Sequence, residues 1–280
     1  MQQLYPSKLL LFGEYAVIAG GEGLAIPYPK YKTTWAQAQT ADEITYDLRP
    51  FYKYLKSSEQ LNSILDLEKF IEDLQNNFFL KSDIPIGMGL GSSGSVVAAI
   101  YDKYCNQTLK SNRAVNLKLW KSELASMENY FHETSSGLDP LVIILNKPIH
   151  LLHGDEPRVI TEDIPLLQEL NISLFNTAIE RKASTQIEMF TNKIKTDDFS
   201  ELIREKYLPL VDSTIEALIL NNKEDFYLHL TALSEFQLEN FVFAIPESMH
   251  EKWREGLNSG KEIYKLCGAG GGGFMLCFNR

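Results

Sequence analysis

Two domains of mixed α+β architecture are what the apolar pattern of this chain predicts. Three observations carry that prediction: a β-rich opening followed by helices, a second half that runs β, α, α, α, β from about Pro165, and a length of 280 residues, which exceeds the usual single core. A hydrophobic fraction of 44% and a charged fraction of 23% suit a chain folded throughout, and no internal repeat or low-complexity tract interrupts it.

The opening strands are read at 8–18, KLLLFGEYAVI, and 24–38, LAIPYPKYKTTWAQA, rich in apolar, aromatic and β-branched residues and broken by Gly20-Gly21 and Pro27. From Ile64 to Phe79, the residues Leu65, Leu67, Phe70, Ile71, Leu74 and Phe78 recur at helical spacing. A glycine-rich run, PIGMGLGSSG from Pro85 to Gly94, precedes SVVAAIYDKYC, which reads as a buried helix. A further helix covers Asn116 to Tyr130 and delivers the chain to a polar loop, HETSSGLDP at 132–140, after which LVIIL reads as a strand. Beyond Pro165 follow a strand at NISLFNT, a helix from about Ser184 to Lys195, two amphipathic helices through Leu238, a short helix near 247–258 and a terminal strand pair. The change of pattern sets a domain boundary near residue 165, giving domains 1–165 and 166–280.

A formal net charge of −10 disfavours a general nucleic-acid binder, whose affinity comes from lysine and arginine on the phosphate backbone. It leaves room for a single nucleotide, which backbone amides, a helix N-terminus and one or two lysines can hold. Cys105, Cys267 and Cys277 are odd in number and show no metal-ligand spacing, so a reducing compartment fits. The apolar run Leu9–Phe12 is too short for a signal-peptide core and no segment reaches the ~20 apolar residues of a membrane span. A cytoplasmic protein is expected.

Three stretches carry chemistry. In PIGMGLGSSG, Gly87, Gly89, Gly91 and Gly94 allow several amides to point inward ahead of a helix N-terminus, a phosphate cradle, while Ser92 and Ser93 either cap that helix or offer a hydroxyl to metal and phosphate. The run lacks the lysine of a P-loop and the spacing of a Rossmann turn. Glu128 and Asp139 are two carboxylates that could divide metal holding and proton acceptance, or be a solvated helix residue and a turn former. In KLCGAGGGGFMLCF, glycines 268 and 270–273 are too many for a plain hairpin and imply a close approach.

PIGMGLGSSG resembles the P-x-x-x-G-L-G-S-S-A loop of the GHMP kinases, the family of galactokinase, homoserine kinase, mevalonate kinase and phosphomevalonate kinase, with Gly94-Ser95 where alanines are usual. ENYFHETSSGLD is similar to the mevalonate kinase segment in which a glutamate and, four positions on, a histidine lead to P-S-G-x-D: Glu128, His132, Ser136, Gly137 and Asp139 fall in register, and Ser135 replaces the proline. KLCGAGGGG is similar to the family's K-x-T-G-A-G-G-G-G element, with Cys267 at the threonine. SKLLLFGEYAVIAGGEG resembles an N-terminal element in which a lysine and a strand lead to G-E-H-x-x-x-x-G-G, with Tyr15 at the histidine. LFNTAIERKAST is similar to D/N-T-G-x-x-R-x-T, with Ala178 at the glycine.

The resemblance implies a GHMP kinase fold, with an N-terminal domain like the second domain of ribosomal protein S5, a ferredoxin-like C-terminal domain and an active site in the cleft between them. It implies an ATP- and magnesium-dependent kinase acting on a hydroxyl of a small acidic metabolite, mevalonate foremost, with phosphomevalonate, a sugar or another hydroxy acid as alternatives. A non-catalytic small-molecule sensor is the rival of a different class. By the same resemblance Gly87, Gly89, Leu90, Gly91, Ser92, Ser93 and Gly94 bind the triphosphate, Ser93 and Glu128 hold Mg2+, and Asp139 is the catalytic base, kept ionised by Lys8. Glu14, Tyr15, Ser136, Gly137, Thr177, Gly268, Ala269 and Gly270 are expected at the substrate, with Arg181 or Lys182 as an anion partner, and His132 is given no catalytic role. The expected partners are ATP and the small substrate, without nucleic acid or membrane, and a homodimer is left open.

Overall fold

The computed structural model describes residues 3–179 and 183–280. The chain opens on β1 (Leu4–Phe12) and β2 (Gly23–Gln37). Helices α1 (Arg49–Ser57), α2 (Glu59–Ile64) and α3 (Leu67–Gln75) follow, then β3 (Phe78–Ser82). Ser58 and Asp66 cap α2 and α3, each side chain accepting a backbone N–H from inside its helix. Next come α4 (Ser92–Tyr104), α5 (Gln107–Ala114), α6 (Leu117–Glu128) and α7 (Leu138–Leu145). A hairpin of β4 (Ile149–Leu152) and β5 (Glu156–Val159) leads through α8 (Pro165–Glu169) to β6 (Asn171–Asn176). The chain then runs through α9 (Ala183–Lys193) and α10 (Asp197–Leu202), a π-turn at Ile203–Tyr207, α11 (Leu208–Ile219), α12 (Lys223–Asn240) and α13 (Glu247–Ser259), and closes on β7 (Glu262–Leu266) and β8 (Phe274–Asn279).

One sheet has the order β1-β2-β4-β5 with β3 also on β2, and a second has the order β6-β8-β7. Two compact units result. One holds the chain up to Leu9, Ala25–Ile86 and Leu90–Pro148; the other holds Leu10–Leu24, Gly87–Gly89 and Ile149–Arg280. In the first, α4, α6 and α7 pack on one another and bury Val97, Ala98, Ile100, Leu124, Met127, Leu141 and Val142. Each large aliphatic side chain so buried contributes about 1.5–3 kcal/mol. In the second, β8 lies between β6 and β7 in antiparallel register, α12 and α13 pack on β7, and Phe12, Phe226 and Phe278 form a ring cluster.

Three expectations are corrected. LVIIL is part of helix α7, because five apolar residues in a row have no periodicity that separates strand from helix. Left-handed Gly137 and Asn146 bracket α7, and Pro140 sits in its first turn, where a missing N–H costs nothing. The helix read at Ile64–Phe79 covers only Leu67–Gln75, since Leu65 bridges to Cys105 and Phe78 starts β3. The first strand ends at Phe12, and Val17–Ala19 form a 3-10 turn.

Candidate active site

Both faces of β1 are covered, so the Lys8 side chain is buried. A buried ammonium needs a counter-charge, and Asp139 supplies it at 2.9 Å from Nζ to Oδ1. Asp139 lies in the first turn of α7 and keeps 31% of its side chain exposed, so the pair has one open side. The glycine-rich loop passes beside it: the Lys8 N–H donates to the Leu90 carbonyl at 3.0 Å, and Gly91, at φ +78, is the N-cap of α4. With no side chain at that cap, Ser92 and Ser93 do not cap the helix, and the first N–H groups of α4 have no acceptor within it. That is the anion-binding end of a 13-residue helix.

Gly94 brings α4 against α7. A Cβ built there would lie 2.9 Å from Asp139 Cβ and 3.0 Å from Pro140 N. Gly137 does the same against α6, where a Cβ would stand 2.0 Å from the Lys121 carbonyl oxygen. Its neighbour Ser136 accepts the Leu138 N–H at 3.3 Å, so both residues shape the start of α7.

Glu128, at the C-terminal end of α6, is 4% exposed. Its Oε1 accepts from Ser93 Oγ at 2.9 Å and its Oε2 from Ser135 Oγ at 2.5 Å. Burial pushes this carboxyl up to about 7, the charge of Asp139 adds to the rise, and the two serine hydroxyls and Lys8 oppose it. His132 Nε2 stands 3.1 Å from Ser93 Oγ. Lys8, Leu90, Gly91, Ser93, Gly94, Glu128 and Asp139 are thus brought together within one unit, and Ser135 and His132 join them. Sequence reasoning gave neither of the last two a role; the signal for Ser135 was a hydroxyl residue seven positions after the glutamate, within a loop able to fold back.

The oxygen donors of Ser93 and Glu128 suit a hard dication. Among the described residues no group of three or more His, Cys, Asp or Glu is placed to hold a metal ion.

The other expected substrate residues lie in the second unit. Glu14 is 2% exposed and pairs with the fully buried Lys265 at 2.5 Å; burial raises its carboxyl while Lys265 opposes the rise. Tyr15 is equally buried, stacked on Phe190 at 4.6 Å with its hydroxyl donating to the Ala269 carbonyl at 2.5 Å. Thr177 donates through both N–H and Oγ1 to the Gly273 carbonyl, at 3.0 and 2.8 Å. The Gly268 backbone also opposes the rise of the Glu14 carboxyl, and Gly270 lies so close to Ala244 that a Cβ would be 2.3 Å from that carbonyl oxygen. The close approach implied by the glycine run is therefore met, at Gly270, by the chain's own backbone. Arg181 and Lys182 lie outside the described residues. Lys265 lies within the KLCGAGGGG motif, whose resemblance assigns it no role; a lysine between apolar strand residues is the signal.

Residues 56–147 match the family model described as GHMP kinases N terminal domain. Mevalonate kinase of Pyrococcus abyssi is 25% identical over 302 residues, covering 96% of this chain and 86% of its own. Among solved structures, a mevalonate kinase superposes with a TM-score of 0.66 at 20% identity, over 100% of this chain and 91% of that one. Phosphomevalonate kinase of Streptococcus pneumoniae, solved with phosphomevalonate and AMPPNP, gives 0.62 at 19% identity, over 100% of this chain and 92% of that one.

Proposed function

We propose that this chain, which has the GHMP kinase fold and resembles mevalonate kinases along nearly its whole length, moves the terminal phosphoryl group of ATP onto a hydroxyl of a small acidic metabolite, mevalonate foremost. One observation carries the reading: the Lys8–Asp139 pair at 2.9 Å, beside the uncapped N-terminus of α4.

In this reading the N–H groups at the start of α4, with the glycine loop ahead of it, receive the nucleotide phosphates. Asp139 accepts the proton of the attacking hydroxyl through its exposed side, and Lys8 keeps it ionised and offsets the negative charge that develops as the hydroxyl attacks. Ser93 and Glu128 would hold Mg2+, which supplies charge neutralisation at the phosphates. Positioning then provides most of the acceleration, because phosphoryl transfer asks little covalent chemistry of a protein.

The test is ADP release over a panel of mevalonate, phosphomevalonate, homoserine and galactose, for the native chain and for Asp139→Asn. Turnover on mevalonate is expected, with the variant slower by about 10²- to 10⁴-fold, the usual worth of a positioned base, and ATP affinity nearly unchanged. Turnover on a sugar alone overturns the substrate class. Normal turnover by Asp139→Asn removes the base. Ligand binding without turnover on any substrate supports a sensor instead.

A further inference from the structure

The loop between α6 and α7 is closed by its own side chains. Asn129, directly after Glu128, accepts the Ser135 N–H on Oδ1 at 2.7 Å, and this folds six residues of chain back over the end of α6. The fold-back brings Ser135 Oγ to 2.5 Å from Glu128 Oε2, while the Gly137 N–H donates to the same hydroxyl at 3.0 Å.

With Glu128 ionised, as it must be to hold a cation, the hydrogen-bond directions follow. An ionised carboxylate can only accept, so Ser135 gives its single hydroxyl proton to Oε2 and Ser93 gives its own to Oε1. Ser93 is then an acceptor toward His132, whose Nε2 must carry a proton to bond at 3.1 Å. The hydroxyl of Ser93 keeps one lone pair for a further partner. Both carboxylate oxygens are held from different elements, α4 and the fold-back loop, so the carboxylate plane has no freedom to turn.

We propose that Ser135 is a positioning residue for the divalent cation: its hydroxyl, set by Asn129, locks the Glu128 carboxylate in the orientation that presents an oxygen beside Ser93. This rests on the reading of Glu128 and Ser93 as the magnesium-holding pair. The geometry needs a hydroxyl at 135 and no acid there, and Ser135 acts through Glu128. Orienting partners of metal-holding carboxylates are worth about 10- to 100-fold in metal affinity when removed.

The experiment measures ADP binding by calorimetry across a magnesium titration, and Mn2+ binding by electron paramagnetic resonance, for the native protein, Ser135→Ala, Ser135→Thr and Glu128→Gln. Ser135→Ala should weaken Mn2+ binding and the magnesium-dependent part of ADP binding by about tenfold, leave metal-free ADP binding unchanged, and be rescued by Ser135→Thr, which keeps the hydroxyl. A purely structural role would lower metal-free ADP binding as well, and that result overturns the proposal. So does a Ser135→Ala protein with native Mn2+ affinity while Glu128→Gln loses it, a pattern that leaves the Glu128 reading standing. If Glu128→Gln also binds Mn2+ normally, the metal pair is wrongly assigned and the proposal falls with it.

Discussion

Gly94 shows how much of the site depends on one absent methyl group. A Cβ there would meet the backbone and Cβ of Asp139 and Pro140, atoms that cannot swing aside as a flexible side-chain tip could. Two effects of Gly94→Ala oppose each other in stability: overpacking costs roughly 1–3 kcal/mol, while alanine in a helix gains roughly 1 kcal/mol over glycine. Their difference is small, so thermal stability is a poor readout. Turnover is a sharp one, because Asp139 has to move, and displacements near 1 Å can cost about 10²-fold. Gly94→Ala is expected to lose turnover by about tenfold or more with a melting temperature within a few degrees of native. Unchanged turnover would mean that α7 yields without disturbing Asp139. The glycine pattern made a phosphate cradle legible in sequence, but contact between Gly94 and Asp139 was not, since they are far apart in the chain and in different helices.

At the scale of elements, the hairpin of β4 and β5 places two imidazoles against carboxylates. His150 Nε2 lies 2.6 Å from Glu22 Oε2; His153 faces the Gly20 carbonyl with Nδ1 and Asp212 on α11 with Nε2, both at 3.1 Å. A neutral ring can donate from one nitrogen only, whereas the protonated ring satisfies both acceptors. The Gly20 carbonyl accordingly raises the His153 pKa above 6.5, the charges of Asp212 and Glu22 reinforce the rise, and burial opposes it. A raised pKa stabilises the fold fully below the unfolded value near 6.5, and the contribution is lost as pH climbs through the folded value. The ring is 57% exposed, so solvent screening keeps the effect small. Proton NMR should give a His153 midpoint above 6.5, and Asp212→Asn should bring it down; a native midpoint at or below 6.5 refutes the arrangement. The sequence offered no sign of this hairpin, whose strands are four residues each and carry Pro157, while the 15-residue β2 and the amphipathic α3 announced themselves. Helix α7 was missed for the opposite reason: from Pro140 to Leu145 every residue is apolar, which erases the polar face that gives a helix its period.

Across the whole molecule, the groups to which the proposal assigns the chemistry come from Lys8, Leu90 and Gly91 ahead of α4, Ser93 in its first turn, the end of α6 and the start of α7, all within the first compact unit. Motif resemblance picked these residues out, whereas Glu14, which falls in register with the N-terminal motif, and Tyr15, which stands at that motif's histidine, are buried with Lys265 and Phe190. A motif records which residues recur; it does not distinguish those that face a ligand from those that hold its surroundings. The three cysteines provide a way to weigh the two units separately. Cys105, after α4 in the first unit, and Cys267 and Cys277 in the second are buried and form no disulfide, and burial raises the thiols of Cys105 and Cys277. A thiol reagent needs an accessible thiolate, so labelling must wait for an opening of the structure. Single-cysteine variants made by Cys→Ala should resist labelling for minutes at pH 8 without denaturant. Cys277 lies in the central strand of the β6-β8-β7 sheet and Cys267 directly after β7, so exposing either requires that sheet to come apart. They are expected to share one opening free energy across a urea series, with Cys105 reporting the first unit independently. Rapid labelling of Cys277 while Cys267 stays protected would show that β8 opens without β7, and the second unit would no longer count as one cooperative body.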